Sequence, residues 1–399
     1  MENLQFIENN IKNKKMGGCK ETDDPALQDQ NGKKNTQTKP VKKKTTTQVS
    51  ITLGEPDEVD AVKMLTLGAG ESGKSTFLKH LEILYGGGVT EDQKASIRTT
   101  IRETIITDMK TLITALKHSN RTVDSALDTS INLVKEIPIA EDELTEDVAD
   151  SIADLWGEQP IKELYSDIVN DVFPESKSKS SNDYTMCEFA DYFFSNVERI
   201  ADKNYEPTNE DILKMRKRTI GNSNFYFNFN TTSVTLIDVG GQKVERNKWQ
   251  PLFDHIDYLL FIVSLSDFDQ NLWEEKSIRR TQDSLMLFSQ IAGADVFQDV
   301  PIFLIMNKVD AFEKKLKKFP DKFKEAYPGF TPTEPTQNNE INVNDAIEHI
   351  KRTFLRELGT RTKQGWIETY QLNAINSDSV KNVTQKIAHK VVSEHSAKQ

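Results

Sequence analysis

The sequence has little of several features that define other classes of protein. Its 399 residues include only two cysteines, Cys19 and Cys187, which cannot form a disulfide framework and indicate a reducing compartment. The longest purely apolar run, Tyr258–Val263, has six residues, whereas about 20 are needed to cross a bilayer. We see no apolar core of a secretory signal near the N-terminus. A collagenous, membrane-spanning or disulfide-stapled protein is excluded, and a cytoplasmic location is expected.

Acidic residues outnumber basic ones in the chain as a whole, but not at its N-terminal end. The formal net charge is −11, but residues 1–50 hold ten lysines and six acidic residues, which leaves −15 for the remainder. The chain as a whole is therefore not a nucleic-acid binder. Residues 31–49 are rich in Lys, Thr and Gln with almost nothing to bury, so we predict a basic, largely disordered arm over residues 1–53. An alternative is an arm attracted to an acidic membrane surface.

The remaining sequence predicts strands and helices in alternation, with one long helical interruption. Ala61–Leu67 resembles a buried strand that leads through a glycine-rich turn into a helix over Lys74–Tyr85. From about residue 90 to 205 the pattern is helical, and apolar residues recur at spacings of three and four between Ile97 and Leu116. After residue 220 a hairpin is followed by alternating strands and helices, which favours a doubly wound, mostly parallel sheet.

The strongest chemical signal is Gly68–Thr76 (GAGESGKST), which matches the phosphate-binding pattern G-x-x-x-x-G-K-[ST]. Glycines let backbone N–H groups approach phosphate oxygens, and the following helix turns its positive end toward them. In this pattern Lys74 reaches the β and γ phosphates, and the Ser75 hydroxyl binds Mg²⁺. The segment predicts a nucleoside triphosphate site; the alternative is a structural glycine turn.

A second motif, Asn307-Lys308-Val309-Asp310, follows the predicted strand Ile302–Met306. The carboxyl end of a strand is where open α/β sheets bind ligands. The Asp310 carboxylate can accept both adjacent donors of guanine, N1–H and the exocyclic amine, and adenine offers no such pair. Asn307 would tie the base site to the phosphate loop, and the stem of Lys308 would cover the ring. The motif indicates guanine; the alternative is a strand-end turn.

The third motif is Asp238-Val239-Gly240-Gly241-Gln242, at the end of another predicted strand. Asp238 is placed to hold Mg²⁺ through water. The Gly241 N–H could approach a γ-phosphate, and Gln242 could orient the attacking water. The alternative here is a simple Gly-Gly turn.

These three motifs, with a helical insert of about 120 residues after the first, resemble the alpha subunit of heterotrimeric G proteins over about residues 61–399. The resemblance implies a Ras-like P-loop GTPase domain with a six-stranded, doubly wound sheet, built from residues 54–87 and 209–399. An all-helical domain over residues 88–208 would be inserted in it. The implied cofactors are GTP or GDP and Mg²⁺.

The resemblance also implies a set of site residues. In the family an arginine stands three residues before an Mg²⁺-binding threonine, and here that pair is Arg216 and Thr219; Arg218 is the nearby alternative. The implied catalytic residues are Gln242 and Arg216, and the metal ligands are Ser75, Thr219 and, through water, Asp238. The implied nucleotide contacts are Glu71, Ser72, Gly73, Lys74, Ser75, Thr76, Leu213, Arg216, Thr219, Asp238, Gly241, Gln242, Asn307, Lys308, Asp310 and Ala374.

Three further segments are placed by the resemblance. Glu245–Trp249 is similar to the family's switch II helix, in which Trp249 either packs or reports movement. Asn373-Ala374-Ile375 stands where the family has T-C-A-T, and the Ala374 N–H could contact the guanine O6. Glu188 stands roughly where the family has an acid facing the nucleotide.

Both ends differ from the family. Prolines and glycines between Pro25 and Pro56 make a long N-terminal helix, and with it binding of the beta-gamma dimer, doubtful. Met16-Gly17-Gly18-Cys19 is similar to a lipidation signal but lies inside the chain, so contact with the inner membrane surface is one of two alternatives. The C-terminal helix, predicted from Asp378 to about Ser393, ends in a polar tail, which leaves the receptor unidentified.

The sequence as a whole predicts a guanine-nucleotide-binding signal transducer that is active with GTP and switched off by its own GTP hydrolysis. The implied partners are the beta-gamma dimer, a seven-helix receptor or other exchange factor, and a downstream effector. One alternative is a P-loop ATPase or nucleotide kinase, which Asp310 opposes. Another is a pseudo-GTPase scaffold that binds GTP without cycling, which the altered termini and the N-A-I segment favour.

Overall fold

The structure is a computed structural model. It describes residues 48–55, 61–170, 184–216, 219–272, 275–333, 340–359 and 366–398. The chain divides into two units, Met1–Gln48 and Val49–Gln399, and only Gln48 of the first is described. The predicted disordered arm up to that point, the Met16–Cys19 segment and Arg218 lie outside the described residues.

The second unit is built on a mixed seven-stranded sheet. Its strands are β1 (Ile51–Leu53), β2 (Val62–Leu67), β3 (Asn222–Phe229), β4 (Thr232–Val239), β5 (Tyr258–Ser264), β6 (Ile302–Asn307) and β7 (Ile367–Gln371). They lie in the order β1-β3-β4-β2-β5-β6-β7. The five strands from β4 to β7 in this order are parallel, β3 is antiparallel to β4, and β1 is antiparallel to β3. The central strands are apolar on both faces, as expected for a parallel sheet covered on both sides.

The described helices cover both faces of the sheet or form a separate block. They are α1 (Lys74–Tyr85), α2 (Glu91–Leu116), α3 (Asp128–Glu136), α4 (Glu146–Gly157), α5 (Gln159–Val169), α6 (Ala190–Phe194), α7 (Val197–Ala201), α8 (Asn209–Lys214), α9 (Lys243–Arg246), α10 (Arg280–Gly293), α11 (Val309–Lys318), α12 (Pro320–Ala326), α13 (Val343–Arg356) and α14 (Ser377–Lys398). Helices α1 and α14 pack on one face, and α10 to α13 pack on the other. The predicted doubly wound α/β fold is confirmed. Among the described residues, none of these helices has the length and apolar character needed to cross a bilayer.

Helices α2 to α8 form a block with an apolar core of their own. Helix α2 begins at a capping box, in which the Thr90 hydroxyl accepts from the Gln93 N–H and the Gln93 side chain accepts from the Thr90 N–H. The apolar stripe predicted between Ile97 and Leu116 lies on this helix and faces that core. The core also contains Ile212 of α8 and Met215. The domain boundaries at residues 88 and 208 stay a prediction.

The prediction of a six-stranded sheet that leaves out residues 1–53 is wrong, because Ile51–Leu53 forms a strand of the sheet. Strand β1 pairs with β3 in the register Ile51 to Phe229 and Leu53 to Phe227, and forms the seventh strand at the sheet edge. Val49 and Ile51 are buried in the same core as α1 and α14. The physical reason is burial: these two apolar side chains alternate with polar ones and fill space beside α14.

A single side chain of α14 fixes Val49, two residues before β1. The Gln385 Oε1 accepts a hydrogen bond from the Val49 N–H at 3.1 Å, and the Gln385 Nε2 donates to the Val49 carbonyl at 2.8 Å. The amide therefore replaces a neighbouring strand for this one residue. Because Val49 is buried, its backbone groups have no ready replacement partner in water.

We expect Gln385→Leu to lower the free energy of unfolding by about 2 kcal/mol, because both polar groups of Val49 lose their partner. Urea unfolding followed by circular dichroism measures the change. Asn382→Ala, at an exposed position of the same helix, is the control and should change stability by less than about 0.5 kcal/mol. Equal midpoints for Gln385→Leu and the unchanged chain would contradict the role of this contact.

Candidate functional site

The phosphate-binding pattern forms the turn between β2 and α1. Gly73 caps α1 with φ at 95°, a left-handed conformation that favours glycine. A Cβ at this position would lie 2.1 Å from the Asn307 Nδ2, so only glycine fits between the loop and β6. The backbone of the loop is thus held open at the N-terminal end of α1, where anions bind favourably.

Lys74 begins α1 and turns back over this loop. Its Nζ donates to the carbonyls of Gly68 at 3.0 Å and Ala69 at 2.8 Å. Burial lowers the pKa of Lys74 to about 8, with Arg246 adding to the effect and Asp238 opposing it. A phosphate group would supply the negative charge that such a buried ammonium favours.

Three oxygen-bearing side chains converge beside the first turn of α1. The Ser75 Oγ lies 2.6 Å from the Thr219 Oγ1 and donates to the Asp238 Oδ2 at 2.7 Å. Burial raises the pKa of Asp238, although its bond with Ser75 and the charge of Lys74 oppose this. The other carboxylate oxygen, Oδ1, is buried and has no partner among the described residues. Hydroxyl and carboxylate oxygens with an unsatisfied member are the ligand type that Mg²⁺ prefers.

Among the described residues, no group of three or more His, Cys, Asp or Glu side chains is arranged to hold a metal ion. The oxygens around Asp238 differ from such a group because two of the three belong to hydroxyls. Mg²⁺ at this position fits the residues present if phosphate oxygens complete its coordination, since Mg²⁺ usually combines few protein ligands with phosphate and water.

The segment after β4 comes very close to the phosphate loop. A Cβ at Gly241 would lie 2.2 Å from the Lys74 Nζ and 2.5 Å from the Gly68 carbonyl oxygen. Gln242 lines the cavity, and its Cγ is 3.0 Å from where a Cβ of Gly70 would stand. The sequence correctly placed this segment beside the phosphate loop.

The switch helix predicted over Glu245–Trp249 lies earlier in the chain, since α9 covers Lys243–Arg246 and shares only Glu245 and Arg246 with the prediction. Trp249 is buried, and its Nε1 donates to the Gly240 carbonyl at 2.9 Å, so this side chain packs against the Gly240 turn; that it reports movement stays a prediction. Arg246 forms two hydrogen bonds with the Asp283 carboxylate of α10 and one with the Gly241 carbonyl. This arginine therefore ties the Gly241 turn to α10.

Arg216 meets the phosphate loop through Glu71. The Arg216 Nη2 lies 2.5 Å from the Glu71 Oε1, and the Arg280 Nη1 lies 2.6 Å from the Glu71 Oε2. Despite burial, which opposes it, the pKa of Glu71 is lowered by Arg280, then Arg216 and Lys308. One carboxylate thus holds two guanidinium groups at the cavity wall.

The Asn307–Asp310 motif bridges β6 and α11. The Asn307 Nδ2 donates to the Ser72 carbonyl at 2.9 Å, which joins it to the phosphate loop as predicted. Lys308 has φ at 61° and pairs with Glu188 at 2.7 Å. Asp310 lines the cavity, and no described residue donates a hydrogen bond to its carboxylate. The carboxylate is thus available to a ligand.

Ala374 lies at the same end of the sheet, after β7. Its N–H donates to the Asn307 Oδ1 at 3.1 Å, so the predicted contact with a guanine O6 would have to share or replace this bond. The Ile375 N–H likewise donates to the Asn373 side chain. The loop is therefore beside the base motif, but its amide protons are already engaged.

All these segments surround one cavity of about 300 Å³, a size suited to a small ligand. The predicted site residues that line it are Glu71, Gly73, Lys74, Ser75, Thr76, Leu213, Arg216, Thr219, Gly241, Gln242, Asn307, Lys308, Asp310 and Ala374, together with Glu188. Ser72 and Asp238 are buried behind this wall. The structure brings together the whole predicted set.

Sequence reasoning missed several residues of the site. Arg280 and Asp267 line the cavity, and the Arg246–Asp283 pair holds the Gly241 turn that forms part of its wall. Arg280 and Asp283 stand in the first turn of α10, and no local pattern distinguishes them from ordinary helix-start charges. The position of Asp267 after β5, at the ligand-binding end of the sheet, is the one signal that could have found it.

Comparison with known proteins agrees with the geometry. A model of the G-protein alpha subunit family matches residues 33–391. A guanine nucleotide-binding protein subunit alpha-1 of Trichomonas vaginalis is 30% identical over 82% of this chain and 76% of its own length. An alpha-7 subunit of Caenorhabditis elegans is 31% identical over 81% of this chain and 85% of its own. A subunit alpha of Coprinellus congregatus is 34% identical over 68% and 72%. The chain belongs to the G-protein alpha subunit family.

Proposed function

We propose that the protein is a GTP-hydrolysing signal transducer, active with GTP bound and switched off by its own hydrolysis of GTP. The observation that carries the proposal is the convergence of the Ser75, Thr219 and Asp238 oxygens beside the phosphate loop. These residues come from α1, from the segment after α8 and from β4. A site of this kind binds a metal–triphosphate. Because Thr219 lies in a connecting segment rather than in a regular element, the position of that segment depends on whether the metal–triphosphate is bound.

Each phosphate-facing group has a defined part in the proposal. The backbone of Gly68–Gly73 and the Lys74 ammonium hold the β and γ phosphates, and Ser75, Thr219 and Asp238 hold Mg²⁺, Asp238 through water. When bound, Mg²⁺ neutralises charge that develops on the phosphate oxygens. Lys74 exchanges its two backbone carbonyl partners for phosphate oxygens as the nucleotide enters.

Two side chains serve the hydrolytic step. Gln242 orients a water molecule for in-line attack on the γ-phosphate, with its amide accepting from the water and donating to a phosphate oxygen. Arg216 leaves Glu71 and places its guanidinium beside the transferring phosphoryl group, where it stabilises the charge of the transition state. Arg280 keeps Glu71 paired when Arg216 moves, since it binds the other carboxylate oxygen.

The switch follows from which contacts depend on the γ-phosphate. Thr219 and the Gly241 N–H lie in connecting segments and contact the metal–triphosphate end of the site. Loss of the γ-phosphate removes these contacts, and both segments relax. Arg246 transmits a change at Gly241 to α10 through Asp283.

Guanine selection rests on Asp310. Its carboxylate accepts from the N1–H and the exocyclic amine of the base, while Lys308 covers the ring and Ala374 offers its N–H to O6. Family membership supports the wider setting of the proposal: a beta-gamma dimer, a seven-helix receptor or other exchange factor, and an effector. A position at the cytoplasmic face of the plasma membrane belongs to the same proposal.

Single-turnover hydrolysis of GTP by the purified chain with Mg²⁺ tests the proposal, with ATP as the control nucleotide. We expect slow phosphate release from GTP and none from ATP. Tight GTP binding without turnover would contradict the hydrolytic part and favour a scaffold that binds GTP without cycling. Equal use of ATP would contradict the role of Asp310.

Arg216→Ala should slow single-turnover hydrolysis at least about tenfold, because one donor to the transition state is lost. We expect a loss of rate close to this minimum, because a second guanidinium, that of Arg280, lies close to Arg216. Glu210→Gln, an exposed neighbour in a surface pair with Lys214, is the matched control and should hydrolyse GTP at the normal rate. An unchanged rate in Arg216→Ala would assign the role to Arg218 or to a partner protein.

A further inference from the structure

His80 is a polar side chain that the proposed mechanism leaves unexplained. It lies in α1 with only 1% of its surface exposed, between Phe77, Leu78 and Leu81, which pack in the core. Burying an imidazole without partners is costly, so its two nitrogens should both be satisfied. They are: Nδ1 is 2.7 Å from the Ala374 carbonyl oxygen, and Nε2 is 3.0 Å from the Ser377 Oγ.

These two partners determine which nitrogen carries the proton. A carbonyl oxygen can only accept, so the His80 Nδ1 must be the donor to Ala374. In the neutral ring Nε2 is then an acceptor, and the Ser377 hydroxyl donates to it. Burial lowers the pKa of His80, with Lys381 adding to this and the bond to Ala374 opposing it. A neutral ring with Nδ1–H satisfies both partners.

The contact fixes the loop that follows β7. Both backbone polar groups of Ala374 are hydrogen-bonded. Its N–H donates to the Asn307 Oδ1, and its carbonyl accepts from His80. Asn307 is itself bonded to the Ser72 carbonyl of the phosphate loop. Ser377 is the first residue of α14, so the same imidazole also holds the start of that helix.

We propose that His80 is a positioning residue that sets how long a guanine nucleotide stays bound, by holding the Ala374 loop against the phosphate-binding helix α1. The inference rests on the proposed guanine site, but it gives a role in nucleotide retention to a residue that touches neither base nor phosphate. Without His80 the Ala374 carbonyl is left buried and unpaired, and the loop gains freedom at the base end of the site alone. Release of the nucleotide should then become faster while the phosphate end keeps its geometry.

The test follows the release of GDP that carries a fluorescent ribose label. We expect His80→Leu, which is similar in size but has no donor, to release GDP at least about tenfold faster. His80→Asn keeps a donor near the position of Nδ1 and should restore the rate to within about threefold. Ser377→Ala removes only the second bond and should release GDP about threefold faster.

Two comparisons separate positioning from a general loss of stability. Single-turnover hydrolysis of GTP already bound should be unchanged in His80→Leu, because its chemistry lies at the phosphate end. Leu81→Ala, which makes a cavity in the same helix, should lower the melting temperature without faster GDP release. Equal acceleration by Leu81→Ala, or no rescue by His80→Asn, would overturn the inference.

Other outcomes are equally decisive. Normal GDP release from His80→Leu would overturn the inference alone, provided that the unchanged chain binds GDP. If the unchanged chain does not bind GDP, the proposed function fails first, and the two failures are thereby distinguished. If His80→Leu does not fold, Ser377→Ala decides, and an unchanged rate would overturn the positioning role.

Discussion

Gln242→Leu should reduce single-turnover GTP hydrolysis by at least about a hundredfold while GTP stays bound. Leucine fills a similar volume but has no polar group that could orient a water molecule. The groups that hold the phosphates, Lys74 and the backbone of Gly68–Gly73, are left intact. The chain would therefore remain in its GTP-bound form. Phosphate release and retention of labelled GTP, measured on the same sample, test both halves of this expectation.

Two further variants test where Gln242 lies. Gln250→Leu makes the same change at an exposed position of the same segment and should leave hydrolysis unchanged. Gly70→Ala alters the other side of the contact, because its Cβ would stand 3.0 Å from the Gln242 Cγ. We expect it to slow hydrolysis by displacing the amide. Normal hydrolysis in Gln242→Leu would remove this residue from the proposed mechanism.

Much of the fold could be predicted because its signals are local. The strands β5 and β6 are continuous apolar runs, and helix α2 has an apolar stripe that the sequence shows directly. Strand β1 was missed because its pattern, the apolar/polar alternation of Val49–Leu53, is only five residues long and directly follows a Lys- and Thr-rich segment. It is stabilised by partners far away in the chain, Phe227 to Phe229 in β3 and Gln385 in α14, so tertiary contacts decide its structure.

The site divides in the same way. Loop motifs such as Gly68–Thr76 and Asn307–Asp310 specify their own backbone, and the doubly wound topology brings the ends of their strands together. Side-chain partners across long distances in sequence are not encoded locally. Glu71 and Arg280, for example, are 209 residues apart, and neither residue type predicts the other. The same holds for His80, which sequence reasoning would treat as an ordinary position of a buried helix.

Asp310→Asn should change the base that the protein selects. The Asp310 carboxylate offers two acceptors, which match the N1–H and exocyclic amine of guanine. Asparagine offers one acceptor and one donor, so one guanine donor would face the amide N–H₂ and remain unpaired. Xanthine carries an oxygen in place of that amine and suits the asparagine. A site built to pair with a polar group discriminates strongly against a mismatched one, so we expect GTP affinity to fall by about two orders of magnitude or more.

Competition binding with GTP, xanthosine triphosphate and ATP measures the switch. In Asp310→Asn the xanthine nucleotide should bind best, whereas the unchanged chain should prefer GTP. Asp310→Ala is the control, because it loses guanine affinity without gaining any for xanthine. Glu313→Gln, at an exposed position further along α11, controls for the loss of a negative charge. If Asp310→Asn still preferred GTP, the carboxylate would not be the group that reads the base. Selection of the base would then rest on Lys308 and the Ala374 loop. In that case His80→Leu should alter the preference among the three nucleotides.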